Sequence, residues 1–271
     1  MIASTPEPGF ASLSALDAPE TFVAPAYPGP AAARGGDHAA GAEAPVLIDA
    51  RQITRRAPLT DKILLHPVSL QLRAGDRIAV TGPSGAGKSV LLRVLASLDA
   101  ADGGTLSWRG APLTRAGLLA YRRQVAYLKQ RAVMLDGSVE DNLRAPFALR
   151  VYRDLRYRQD TVLALLSASG RDAAFLRKSA ADLSGGEAQI TALIRVLQLE
   201  PSVLLLDEPT ASLDPESAVT VEAMVAHWHG EAARPRRAYA WVSHDPAQAA
   251  RIGDRTLQLR AGEVQGGGRI A

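Results

Sequence analysis

The chain has 271 residues, 47% of them hydrophobic and 22% charged, with a net charge of +3. This allows one or two domains with a real core, and so mild a basic balance does not call for nucleic acid as a partner. The absence of cysteine excludes a disulfide framework, a thiolate metal site and a cysteine nucleophile, and no run approaches the roughly 18 apolar residues of a membrane span.

Residues 1–45 are dominated by Ala, Pro and Gly with scattered acids. Such a stretch buries too little apolar surface to offset its ordering entropy, so a disordered tail is expected. It has no basic region followed by an apolar stretch, so no secretory leader is expected.

Strands are predicted over Val46–Thr54 and Ile63–Leu72, and a turn at Gly75-Asp76. Arg77–Thr81 reads as a short buried strand and Val90–Leu98 as a buried helix. Between them stands Gly82-Pro83-Ser84-Gly85-Ala86-Gly87-Lys88-Ser89. Strand, glycine loop and helix in that order make a P-loop. The glycines let backbone N–H groups point inward as an anion nest, Lys88 reaches the outer phosphates, and the Ser89 hydroxyl is a magnesium ligand.

Farther on, Asp102-Gly103-Gly104 reads as a turn and Thr105–Trp108 as a strand closed by Gly110-Ala111-Pro112. Val125–Leu128 is a strand leading to Gln130. Residues 138–182 lack strand runs and read as several helices, with Arg144, Arg150, Arg153, Arg156 and Arg158 on exposed or partner-facing surfaces. Leu183–Gly186 is a sharp turn before a helix to about Leu199. Val203–Leu206 is apolar throughout, as in a strand covered on both faces, and ends in Asp207-Glu208. A helix over Ser217–Trp228, a strand over Tyr239–Val242 ending at Ser243-His244, and a hairpin over Thr256–Gln265 complete the pattern.

Four apolar runs thus end in groups suited to phosphate chemistry: Thr81 entering the loop, Gln130, Asp207-Glu208, and His244. Parallel α/β sheets bind ligands at the carboxyl ends of their strands, so these groups can converge. Asp207 is expected to hold magnesium beside Ser89. Glu208 leaves from the other side of the strand end and is the candidate general base for a water attacking the γ-phosphorus. Gln130 is expected to ligate the metal as well and to sense the γ-phosphate, and His244 to bond that phosphate and the water. His227 and His229 flank Trp228, but no carboxylate completes a metal set and no role is assigned to them.

The P-loop combined with Leu183-Ser184-Gly185-Gly186-Glu187-Ala188-Gln189 and Leu204-Leu205-Leu206-Asp207-Glu208-Pro209-Thr210 resembles the ABC-type ATPases, and Ser212-Leu213-Asp214 resembles their D-loop. The resemblance covers roughly residues 46–265. It implies an α/β fold: a P-loop NTPase core with a parallel sheet, a small N-terminal antiparallel β region, and a helical subdomain at about 131–182, all within a domain over 46–271. It implies ATP and Mg²⁺ as ligands. It also implies a head-to-tail dimer, each ATP lying between the P-loop of one copy (Gly82–Ser89 and the Val90 backbone) and Ser184, Gly185 and Gly186 of the other. A helix N-terminus of this kind is an anion site.

A narrower resemblance, to stand-alone bacterial iron-export cassettes and plant aluminium-tolerance relatives, rests on Ile78–Gly85, Leu95–Leu98, Tyr121–Tyr127 and Leu193–Gln198. It implies a subunit peripheral to the cytoplasmic face of the inner membrane, driving a multispanning permease on a separate chain through a groove in 131–180. Iron or another metal is the implied export substrate; peptide, lipid or lipoprotein export and small-solute import are alternatives. The short stretch after His244 is not expected to hold a regulatory domain. A soluble ABC-type ATPase acting on DNA or ribosomes is the rival reading, as is a non-hydrolysing nucleotide sensor.

Three departures stand out. Val90 replaces a threonine whose hydroxyl would reach the α-phosphate. Ala188 and Ile190 replace long polar residues, with an expected change in partner contact. No aromatic stands near Arg55-Arg56-Ala57 to stack on the adenine, so Arg55 or Arg56 is expected to stack instead.

Overall fold

The computed structural model describes residues 44–231 and 237–269. The expected tail lies outside them except for Ala44 and Pro45, whose carbonyls accept from Arg73 Nη1 at 3.1 Å and Ala74 N at 2.9 Å.

Two sheets carry the fold. The first is antiparallel, in the order β2-β1-β4-β5. Its strands are β1 (Val46–Arg56), β2 (Ile63–Arg73), β4 (Gly103–Trp108) and β5 (Ala111–Pro112). The second has the order β10-β9-β3-β8-β7-β6. Its strands are β3 (Arg77–Thr81), β6 (Val125–Leu128), β7 (Val203–Asp207), β8 (Ala238–Val242), β9 (Arg255–Arg260) and β10 (Glu263–Arg269). All its pairs are parallel except β9 with β10.

Side chains alternate across a strand, and that alternation sorts the core into two layers. On one face Ile78, Val80, Val203, Leu205, Ala240 and Val242 pack against helix α1 (Lys88–Leu95) and the antiparallel sheet. On the other face Ala79, Leu204, Leu206, Tyr239 and Trp241 meet the remaining helices. These include α5 (Gly185–Leu197), α6 (Pro215–Gly230) and α7 (Pro246–Ile252). Burial on both faces explains why β7 reads as an unbroken apolar run.

The segment 131–182 holds α3 (Val139–Arg144) and α4 (Gln159–Ala168), joined by short 3₁₀ turns. A capping box between Ser138 and Asp141 starts α3. The five arginines expected on exposed faces are all exposed. Two of them have local partners: Arg144 pairs with Glu140 at 2.7 Å and Arg158 with Asp160 at 2.7 Å.

Several expected boundaries move for identifiable reasons. The P-loop helix runs over Lys88–Leu95, not 90–98. It stops because Ser97 takes a left-handed φ of 55°, and the Arg93 carbonyl accepts from Leu98 N instead. Gly103 and Gly104 belong to β4 rather than to a turn. Gly104 has φ +87°, and a Cβ there would lie 2.3 Å from the Gln52 carbonyl of β1, so this glycine permits close strand approach. Ala111-Pro112 pairs with β4 as a short edge strand instead of merely closing it. Gly185 and Gly186 form the first turn of α5, with Ser184 as its cap. Helix α2 (Leu118–Gln124) and helix α7 are not foreseen.

His229 is half-buried at the end of α6, edge-on to Tyr239 with ring centroids 5.4 Å apart. Its Nε2 has no hydrogen-bond partner. Burial pushes its pKa below 6.5, and the Arg77 charge acts in the same direction. The fold therefore favours the neutral ring, a contribution present above about pH 6.5 and lost as pH falls through the folded-state value. Denaturant midpoints measured at about pH 7.5 and about pH 5 should fall less for His229→Gln than for the parent.

Candidate active site

All the phosphate-chemistry groups stand at the carboxyl end of the parallel strands, where an open α/β sheet forms its binding crevice. The loop 82–89 leaves β3 there. Pro83, Ser84 and Gly85 are exposed while Ala86 and Lys88 are buried, so the outer half of the loop is open to a ligand. Gly82 has φ +139°, and a Cβ on it would sit 2.0 Å from the Leu259 carbonyl of β9. No other residue fits there. The underside is braced as well: Gly262 N, at the tip of the β9–β10 hairpin, donates to the Ala86 carbonyl at 3.0 Å.

Lys88 Nζ donates to the Gly82 and Pro83 carbonyls at 2.9 and 3.0 Å. It is folded over the loop that would receive a phosphate. Burial pushes its pKa down, opposed by the charges of Glu208 and Asp207.

Asp207 ends β7 on the same face as Val203 and Leu205, which is the α1 face. That parity brings it to Ser89, whose Oγ donates to Asp207 Oδ1 at 2.9 Å. A hydroxyl and a carboxylate oxygen side by side are the hard donors a magnesium ion takes, so the residues present fit that metal. No cluster of three or more His, Asp or Glu suited to a metal occurs among the described residues.

Glu208 follows with a φ of 49°. A left-handed backbone at a non-glycine residue is strained, and it turns this side chain away from that of Asp207. Its carboxylate is held from two sides: Gln130 Nε2 donates to Oε2 at 3.2 Å, and His244 Nε2 lies 2.5 Å from Oε1. Gln130 follows β6, and His244 follows β8, so the carboxylate bridges the two strand ends beside β7. Lys88, Ser89, Gln130, Asp207, Glu208 and His244, chosen from the sequence, therefore form one connected constellation.

Ser184, Gly185 and Gly186 do not join it. They start α5, which packs on the opposite face of the sheet from α1, and among the described residues no hydrogen bond links them to 82–89. Ser184 Oγ accepts from Glu187 N at 3.2 Å, and Lys178 holds Glu187 at 2.7 Å. Ser184 and Gly185 are exposed, whereas Gly186 is buried against Ser217.

One departure resolves differently from expectation. Ile190 is fully buried with Leu193, Ile194 and Leu197 on one helical face, so it contributes to the core rather than to a partner contact. Val90 packs against the first core layer. Arg55 is engaged: its Nη1 donates to Asp102 at 3.0 Å, and Arg56 pairs with Asp61 at 2.8 Å.

Three contributors escape the sequence reading. Tyr127 Oη donates to Asp207 Oδ2 at 2.8 Å. Gln189 is buried and donates to the Lys129 carbonyl at 3.1 Å, tying α5 to the segment that carries Gln130. Gly262 supports the loop from below. A hydroxyl inside an otherwise apolar strand is the one available signal for Tyr127; Gly262 lies far along the chain and gives none.

Residues 65–211 match the family described as ABC transporter. The chain belongs to that family. This cassette is 38% identical to Protein STAR1 of Oryza sativa subsp. japonica, over 84% of the chain and 64% of the relative. The chain thus spans less than two thirds of that relative's length. It is 39% identical to the phosphate import ATP-binding protein PstB 2 of Natronomonas pharaonis, over 74% of the chain and 73% of the relative. It is 38% identical to the probable iron export ATP-binding protein FetA of Escherichia coli, over 76% of the chain and 89% of the relative. The fold is that of the ATP-binding cassette MJ0796, solved as a dimer bound to ADP and Pi, with a TM-score of 0.70 at 23% identity over 83% of this chain and 99% of that one. The chain is an ABC ATPase, a nucleotide-binding subunit of the transporter type. Among the described residues no helix is long and apolar enough to cross a membrane.

Proposed function

We propose that the cassette binds ATP with magnesium in a head-to-tail dimer and uses hydrolysis to drive a separate membrane permease from the cytoplasmic face. One observation carries the hydrolytic part: Glu208 is held by His244 and Gln130, beside the Ser89–Asp207 pair.

On this reading the loop amides and Lys88 hold the phosphates, with Lys88 released from the Gly82 and Pro83 carbonyls as it turns to them. Ser89, Asp207 and Gln130 would hold a magnesium ion, which would supply neutralisation of charge on the phosphates. Glu208 takes the proton of the attacking water, and His244 steadies that water and the γ-phosphate. Ser184 and the Gly185 and Gly186 amides of the second copy close the other side, since their own chain places them away from the loop. Arg56, half-exposed, is the face offered to the base.

The permease contact is assigned to the surface between α2 and residues 150–154. Trp108, Leu119 and Val151 give a cleft there its apolar lining, with Arg123, Arg150 and Arg153 around it. Leu119 is 65% exposed, and the single acid there, Asp154, is already bound to Arg123 at 2.7 Å. Exposed apolar area rimmed by charge marks a protein contact. Iron or another metal is the proposed export substrate, on the likeness to the FetA protein.

The test is the ATPase rate of the purified chain with vesicles carrying the permease encoded beside it. The rate should change with the permease and not with DNA or ribosomes. Stimulation by DNA or ribosomes alone would replace the transporter reading with the soluble one.

A further inference from the structure

Asp207 has two carboxylate oxygens, and both are engaged. Ser89 takes Oδ1, while Oδ2 accepts the hydroxyl proton of Tyr127 at 2.8 Å. Strand register creates the second contact. In the parallel pairing of β6 with β7, Tyr127 lies opposite Leu205, two residues before Asp207 on the same face. The ring packs against the first core layer, which fixes where the hydroxyl points.

We propose that Tyr127 is a positioning residue for the magnesium site. By holding Oδ2 it stops the Asp207 carboxylate from rotating and presents Oδ1 alone beside Ser89. The inference rests on the reading of Asp207 as a metal ligand. Carboxylates that ligate metals depend on such outer hydrogen bonds, and losing one typically costs about 10- to 100-fold in metal affinity.

The experiment measures manganese binding by electron paramagnetic resonance on the full chain with ADP, and ADP binding separately in chelator. Tyr127→Phe removes one oxygen and keeps the ring, so manganese affinity should fall about tenfold while metal-free ADP affinity and the melting temperature stay unchanged. Tyr127→Leu should show the same metal-selective loss. Unchanged manganese affinity, or an equal loss of manganese and metal-free ADP binding, overturns the positioning role. Asp207→Asn separates the two layers. If it too leaves manganese affinity intact, the reading of the metal site falls. If it weakens manganese while Tyr127→Phe does not, only the role of Tyr127 falls.

Discussion

Glu208→Gln is expected to lower steady-state ATP hydrolysis by about a thousandfold while leaving ATP binding intact, since a positioned general base contributes about 10²–10⁴. Glutamine matches the glutamate in size and can still meet Gln130 and His244, so the constellation at the ends of β6, β7 and β8 keeps its shape. What it lacks is a proton acceptor. The left-handed φ of 49° at this position makes the change informative, because a strained conformation kept at a strand end is tolerated where it aims a side chain. With hydrolysis blocked, the ATP-bound dimer should persist on size-exclusion chromatography. Full turnover in this variant would remove Glu208 from the role of base.

Gly185→Asp should abolish turnover without weakening the fold. In its own chain Gly185 faces open space, with no atom within 4 Å of where a Cβ would stand. It is the first residue of α5, where an acid gains about 0.3–1 kcal/mol from the helix dipole. Replacing a helical glycine by aspartate recovers only about 0.3 kcal/mol more. The melting temperature should therefore hold or rise. The new carboxylate would nevertheless face the γ-phosphate carried by the second copy, and loss of such a charge-stabilising contact costs about 10²–10³ in rate. ATP affinity of the isolated subunit should be unchanged and the ATP-induced dimer absent. The neighbouring glycine would not serve this test, because a Cβ at Gly186 would meet Ser217 Oγ at 2.4 Å and disturb the fold itself. Normal turnover of Gly185→Asp would discard the second phosphate site.

Much of this site is legible in the sequence because its chemistry sits at strand ends. The run Val203–Leu206 declares a buried strand, and the acids after it must lie at its carboxyl edge. The same reasoning locates Gln130 and His244. The antiparallel sheet is harder to read. Gly103 and Gly104 carry the composition of a turn, and only the approach of the β1 backbone shows why β4 needs glycine there. Ile190 misleads for a related reason: its position after the signature suggests a surface, and only the helical phase shared with Leu193 and Ile194 reveals a core residue. Tyr127 is hidden because its partner is 80 residues away along the chain, and single-sequence periodicity carries no information about pairing across strands.

The placement of β3 bears on how the protein is made. Its two neighbours are β8 and β9, which come more than 150 residues later, and the loop it carries rests on Gly262. A chain leaving the ribosome therefore carries residues 82–89 long before their scaffold exists. Pairings so distant in sequence close slowly, and an N-terminal portion alone cannot reach the native arrangement. The loop that would hold a nucleotide is therefore braced only once residues near the C-terminal hairpin are in place.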